Sequence, residues 1–66
     1  MLHTDIWYYN RLNKHFDKRF EWYEDVAEFH VDPAPNVWVF DIYELGARIT
    51  LTCQDDGRVI ETREYF

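Results

Sequence analysis

The chain has no serine, one cysteine, two glycines and two prolines, and no unbroken apolar run longer than the four residues of Val37 to Phe40. Each scarcity excludes something. Without serine there is no serine nucleophile, and the threonines fall in strand or cap contexts with no triad signature around them. The lone Cys53 has no intramolecular partner and makes no C-x-x-C pair, which fits a reduced, cytosolic setting. A four-residue run is far too short to span a bilayer. Met1 is followed by Leu-His-Thr-Asp, with neither the basic start nor the apolar stretch of a secretory signal. The expected location is the cytoplasm.

Basic residues are also scarce. Seven Lys and Arg stand against thirteen Asp and Glu, for a net charge of −6. That argues against direct contact with nucleic acid or an anionic membrane, both of which call for a basic patch. The imbalance is uneven along the chain. Residues 1–20 carry Arg11, Lys14, Lys18 and Arg19 against Asp5 and Asp17, a net of +2. Residues 21–66 carry eleven acids against Arg48, Arg58 and Arg63, a net of −8.

What is abundant is aromatic. Thirteen of the 66 residues are Phe, Tyr or Trp, within a hydrophobic content of 47%. A chain this short makes one small domain, residues 1–66, and buries a smaller share of its surface than a large one. Aromatic side chains compensate, since each buries about 150–250 Å².

The spacing of Ile6, Tyr9, Phe16, Phe20 and Tyr23, in threes and fours with Asn13 filling the gap, predicts a helix over residues 4–23 with Thr4 as its N-cap. It ends near Tyr23 to Asp25. Strands follow. Ala27 to Val31 alternates, Asp32-Pro-Ala-Pro-Asn36 reads as a loop, Val37 to Glu44 is the strongest strand, and Ala47 to Gln54 and Arg58 to Tyr65 complete the set. Leu45-Gly46 and Asp55-Asp56-Gly57 are turns. The expected fold is α+β: one N-terminal helix packed on one face of a three- to four-stranded antiparallel sheet, in the order α-β-β-β-β.

A two-residue turn at Leu45-Gly46 would pair Ile42 with Ile49, Phe40 with Leu51 and Trp38 with Cys53, placing all six on the face beneath the helix. Val37, Val39, Asp41, Tyr43, Arg48, Thr50 and Thr52 would then occupy the other face, joined by Glu28 and His30. In the last strand, a two-residue turn puts Ile60 inward and a three-residue turn puts Val59 inward.

No chemistry of a reaction is visible. His3, His15 and His30 share no ligand spacing, so neither a metal nor a cofactor is expected. Glu24-Asp25 and Asp55-Asp56 are adjacent pairs suited to a junction and a turn, not to two sides of a cleft. Gly46 and Gly57 are needed by turns, which leaves none for a phosphate loop. The chain is expected not to be an enzyme.

The acidic residues 21–66 and the sheet face left uncovered by a single helix point instead to protein binding. The expected contact residues are Glu28, His30, Asp41, Tyr43, Glu44, Asp55, Asp56 and Glu61. In size and charge the chain resembles phage-encoded anti-defence proteins (anti-CRISPR proteins among them), nucleic-acid mimics and nuclease immunity proteins. That resemblance implies a non-catalytic inhibitor that blocks a basic site on its partner, such as a nucleic-acid-binding protein or a nuclease complex. Duplex DNA carries one charge per about 1.7 Å, so eight net charges imitate roughly 14 Å of it, enough for a pocket but not for a long track. The alternative is an assembly module, a homodimer or small subunit joined through the uncovered sheet face.

Overall fold

A computed structural model describes residues 2–9 and 17–66. Six elements follow in the order β-α-β-β-β-β: β1 (Leu2–Tyr8), α1 (Lys18–Val26), β2 (Phe29–Ala34), β3 (Val37–Ile42), β4 (Ala47–Cys53) and β5 (Arg58–Tyr65). The strands form one antiparallel sheet ordered β1-β5-β4-β3-β2. The class is α+β, as expected, but the helix is not N-terminal and the strands number five. Among the described residues, no helix is long and apolar enough to cross a membrane.

The first correction is residues 2–8. The helical spacing from Ile6 to Tyr9 competes there with a two-residue alternation, Leu2, Thr4, Ile6 and Tyr8 against His3, Asp5 and Trp7. The alternation prevails because β5 would otherwise present a bare edge. Pairing satisfies it over seven residue pairs, from Leu2 with Glu64 to Tyr8 with Arg58. Thr4 is therefore a strand residue and not a cap. Asn13 and Phe16 of the expected stripe, with Arg11, Lys14 and His15, lie outside the described residues.

The helix begins at Asp17, whose side chain accepts the Arg19 backbone N–H at 3.0 Å and whose carbonyl accepts that of Phe20 at 3.0 Å. Such a cap satisfies donors that the first turn leaves open. The helix runs on past Tyr23 to Val26 and buries Phe20 and Tyr23 against the sheet.

The β3–β4 turn moves the expected register, and the β4–β5 turn decides between the two forms expected there. The β3–β4 connection is Tyr43-Glu44-Leu45-Gly46, four residues long, with Gly46 at φ 67°. Ile42 therefore pairs with Ala47, Phe40 with Ile49 and Trp38 with Leu51. A slip of two residues keeps every side chain on its face, so the expected inner face survives although its pairs change. Cys53 does not oppose Trp38; it pairs with Val59. The β4–β5 connection is the three-residue turn. The Gln54 N–H donates to the Arg58 carbonyl at 2.8 Å around Asp55-Asp56-Gly57, and Val59 is buried. The segment 32–36 is not all loop, since β2 continues through Pro33 with a register shift between Val31 and Ala34. An edge strand tolerates proline because its outward N–H bonds no neighbour.

The core lies between helix and sheet: Trp7, Phe20, Tyr23, Phe40, Ile42, Ala47, Ile49, Leu51 and Val59. Phe40 is its centre. Phe20 meets the Phe40 ring edge-on at 5.8 Å, Tyr23 lies tilted at 6.0 Å, and His30 stacks at 4.5 Å. Edge-on and offset geometries suit the ring quadrupoles.

Candidate partner interface

Strand parity sorts the expected contact residues onto two sides of the sheet. Glu61 pairs with Leu51 and Asp5 on the helix side and is buried, with 1% of its surface exposed. It is not a rim acid. Its Oε1 accepts the Tyr23 hydroxyl at 2.9 Å, and its Oε2 accepts Arg63 Nε at 3.3 Å. Arg63 Nη2 also donates to the Tyr23 oxygen at 3.0 Å. Arg19 Nη1 stands 3.9 Å from Glu61 and 3.1 Å from Asp5. One buried carboxylate is thus held between two guanidiniums and a phenol.

Burial and the adjoining Glu61 push the Tyr23 hydroxyl up to about 12. The unfolded chain loses that proton near its ordinary value of about 10. Between these values the native state holds a proton that the unfolded state has released, so stability falls as pH rises from about 10 to about 12. The loss should be about 2–3 kcal/mol. Tyr23→Phe should flatten this alkaline limb while lowering neutral-pH stability by about 1–2 kcal/mol through lost hydrogen bonds. Urea midpoints measured across pH 8–12 check both effects.

His30 also departs from expectation. It pairs with Phe40 and lies on the helix side at the sheet margin, where its Nε2 sits 2.7 Å from Asp32 Oδ1. The residues of β2 that reach the other face are Phe29 and Val31, opposite Asp41 and Val39. Glu28 is exposed just before β2, and its N–H donates to the Asp41 carbonyl at 2.9 Å.

Asp41 does lie on the face away from the helix, yet it is buried. Arg48 clamps it with two hydrogen bonds, Nε to Oδ1 at 2.7 Å and Nη2 to Oδ2 at 3.1 Å. These bonds hold the Asp41 carboxyl below its ordinary range, so its contribution to stability is present at neutral pH and fades in acid. Tyr43 and Glu44 are exposed in the β3–β4 turn, and Asp55 and Asp56 in the β4–β5 turn. These turns sit at opposite ends of β4, so the eight residues form no single patch.

The structure does assemble a broad second face. Leu2, Thr4, Ile6 and Tyr8 of β1 join Ile60, Thr62 and Glu64 of β5, Arg48, Thr50 and Thr52 of β4, Val37, Val39 and Asp41 of β3, and Phe29 and Val31 of β2. Among the described residues, no helix covers it. Leu2 is 66% exposed, Ile6 50%, Tyr8 68% and Phe29 52%. The sequence pattern misses the β1 contribution because its helical spacing takes in residues 4–8. Their alternation was the available signal.

Charge divides between the two sides. The open face carries Asp41 and Glu64 against Arg48 and Arg58, a formal balance, with Arg58 also 3.7 Å from Asp56 in the β4–β5 turn. The helical side, residues 17–28, carries Asp17, Glu21, Glu24, Asp25 and Glu28 against Lys18 and Arg19, and Arg19 is already engaged with Asp5. A hollow lined by Arg48, Glu64, Tyr65 and Phe66 and another lined by Gln54, Asp55 and Asp56 lie at opposite ends of the sheet. Neither includes the Tyr23–Glu61–Arg63 cluster. Comparison with family models, curated proteins and solved structures finds no match to this chain.

Proposed function

We propose that this chain is a non-catalytic protein-binding domain that occupies a basic surface on its partner, in the manner of a site-blocking or nucleic-acid-mimicking inhibitor. The observation that carries the reading is a difference between the two sides: residues 17–28 on the helical side carry five exposed acids against Lys18 and Arg19, while the open sheet face is formally balanced. A one-sided field steers a basic partner and orients its approach. Glu21, Glu24, Asp25 and Glu28 replace the more dispersed contact set read from the sequence. Asp41 and Glu61 drop out because each is buried against arginine.

The test is a set of charge reversals, Glu21→Lys, Glu24→Lys and Asp25→Lys, assayed against a partner captured from lysate. Association should slow by at least about tenfold at low salt, with the dissociation rate little changed. Binding should weaken as salt rises, and DNA or RNA should compete with it. A complex that survives all three reversals and ignores both salt and nucleic acid would remove the proposal.

A further inference from the structure

The open sheet face is independent of the acidic helical side, and its composition specifies its own occupant. We infer that it packs against the same face of a second copy of this chain, giving a two-fold symmetric dimer.

Three features favour a copy over a different protein. The first is charge. Two molecules of net charge −6 repel at most orientations, and the open face is where that repulsion is least. Its Asp41 is neutralised by Arg48, and Glu64 sits opposite the same arginine across β4 and β5. A strongly basic partner gains nothing from a balanced face.

The second is self-complementarity. Thr4, Thr62 and Thr50 pair in series across β1, β5 and β4, and the same row continues into Val39 and Val31. A hydroxyl both donates and accepts, so a threonine row satisfies a copy of itself. A carboxylate or an ammonium does not. An isologous interface requires that property. Ile6, Ile60, Thr52 and Val37 form the next row, and the charged row Glu64, Arg48 and Asp41 lies toward one end. Apolar and hydroxyl rows at the centre with ions at the rim match the usual anatomy of an interface.

The third is area. Five strands spaced about 4.8 Å apart, over roughly six residues at about 3.4 Å each, give a face of about 24 by 20 Å. Two such faces bury about 1,000 Å² before side-chain relief is counted, the lower bound for a specific interface. Face-to-face sheets pack about 10 Å apart through β-branched side chains of this kind. In the dimer the two acidic helical sides point outward and away from each other.

Sedimentation velocity over a concentration series, from low micromolar upward, tests the inference. The expected species has twice the 8.2 kDa chain mass. Its population should rise with salt, because salt screens the repulsion between two acidic molecules. Thr50→Lys and Ile6→Lys should each leave a monomer. Glu21→Lys on the helical side should leave the dimer intact. Should a lysine variant fail to fold, hydroxyl-radical footprinting of the unmodified chain gives the same reading. Tyr8 and Phe29 should become protected as concentration rises, while Trp22 on the helix stays reactive. A chain that remains monomeric at every concentration overturns the inference. So does a dimer that persists in both lysine variants, or one that protects Trp22 instead of Tyr8. None of these outcomes bears on binding of a basic partner through the acidic side, which is read by its opposite salt dependence.

Discussion

Phe40→Ala is expected to cost about 3–5 kcal/mol of stability, as large core truncations do. Phe40 is fully buried, with Phe20, Tyr23 and His30 packed around its ring. Its removal leaves those three rings facing a void that a sheet pinned by five strands closes poorly. Domains of this kind hold about 5–15 kcal/mol in total, and one of 66 residues sits toward the lower end. The variant should therefore be partly unfolded in water at 25 °C, and urea titration followed by far-ultraviolet circular dichroism measures it. A loss below about 1 kcal/mol would mean that the helix does not seal the sheet over Phe40.

Glu61→Lys should be as damaging, for an electrostatic reason. The substitution sets an ammonium beside Arg63 and near Arg19 in a buried position and strands the Tyr23 hydroxyl. Breaking a buried pair by removing one partner costs about 3–5 kcal/mol, and reversing the charge adds repulsion. The whole cluster behaves differently. Replacing Tyr23 by Phe, Glu61 by Leu and Arg63 by Met together should recover most of the loss, because an apolar set of similar volume leaves no unpaired polar group. Thermal melts of the single and triple variants separate the two cases. If the single reversal is harmless, Glu61 reaches solvent and the sheet parity of β5 is wrong.

Some of this is legible in the sequence. The aromatic load, the acidic excess, the strands from Val37 onward and the inner face built from Trp38, Phe40, Ile42, Ile49 and Leu51 all follow from local pattern. Alternation in a half-buried strand is dictated by the pleat, and a register error of two residues leaves it intact. The sequence pattern misplaces Glu61 for the same reason in reverse. The three-residue turn at Asp55-Asp56-Gly57 sends Val59 inward, and parity then carries Glu61 and Arg63 inward with it. A buried carboxylate reads as a surface acid until its guanidinium and phenol partners are seen around it.

Residues 2–8 mark the boundary between the two kinds of information. Their sequence fits a helical stripe and a two-residue alternation at once, and local preference does not separate the two. The choice was made at a distance, by the open edge of β5 some fifty residues away along the chain, whose backbone groups needed partners. That one pairing widened the sheet to five strands and brought Leu2, Thr4, Ile6 and Tyr8 beside Ile60, Thr62 and Thr50. The sequence by itself determined how much charge and apolar surface this protein carries. Only the tertiary structure decided which side of the sheet each falls on, because strand partnership is a long-range choice and, among the described residues, one helix covers one face.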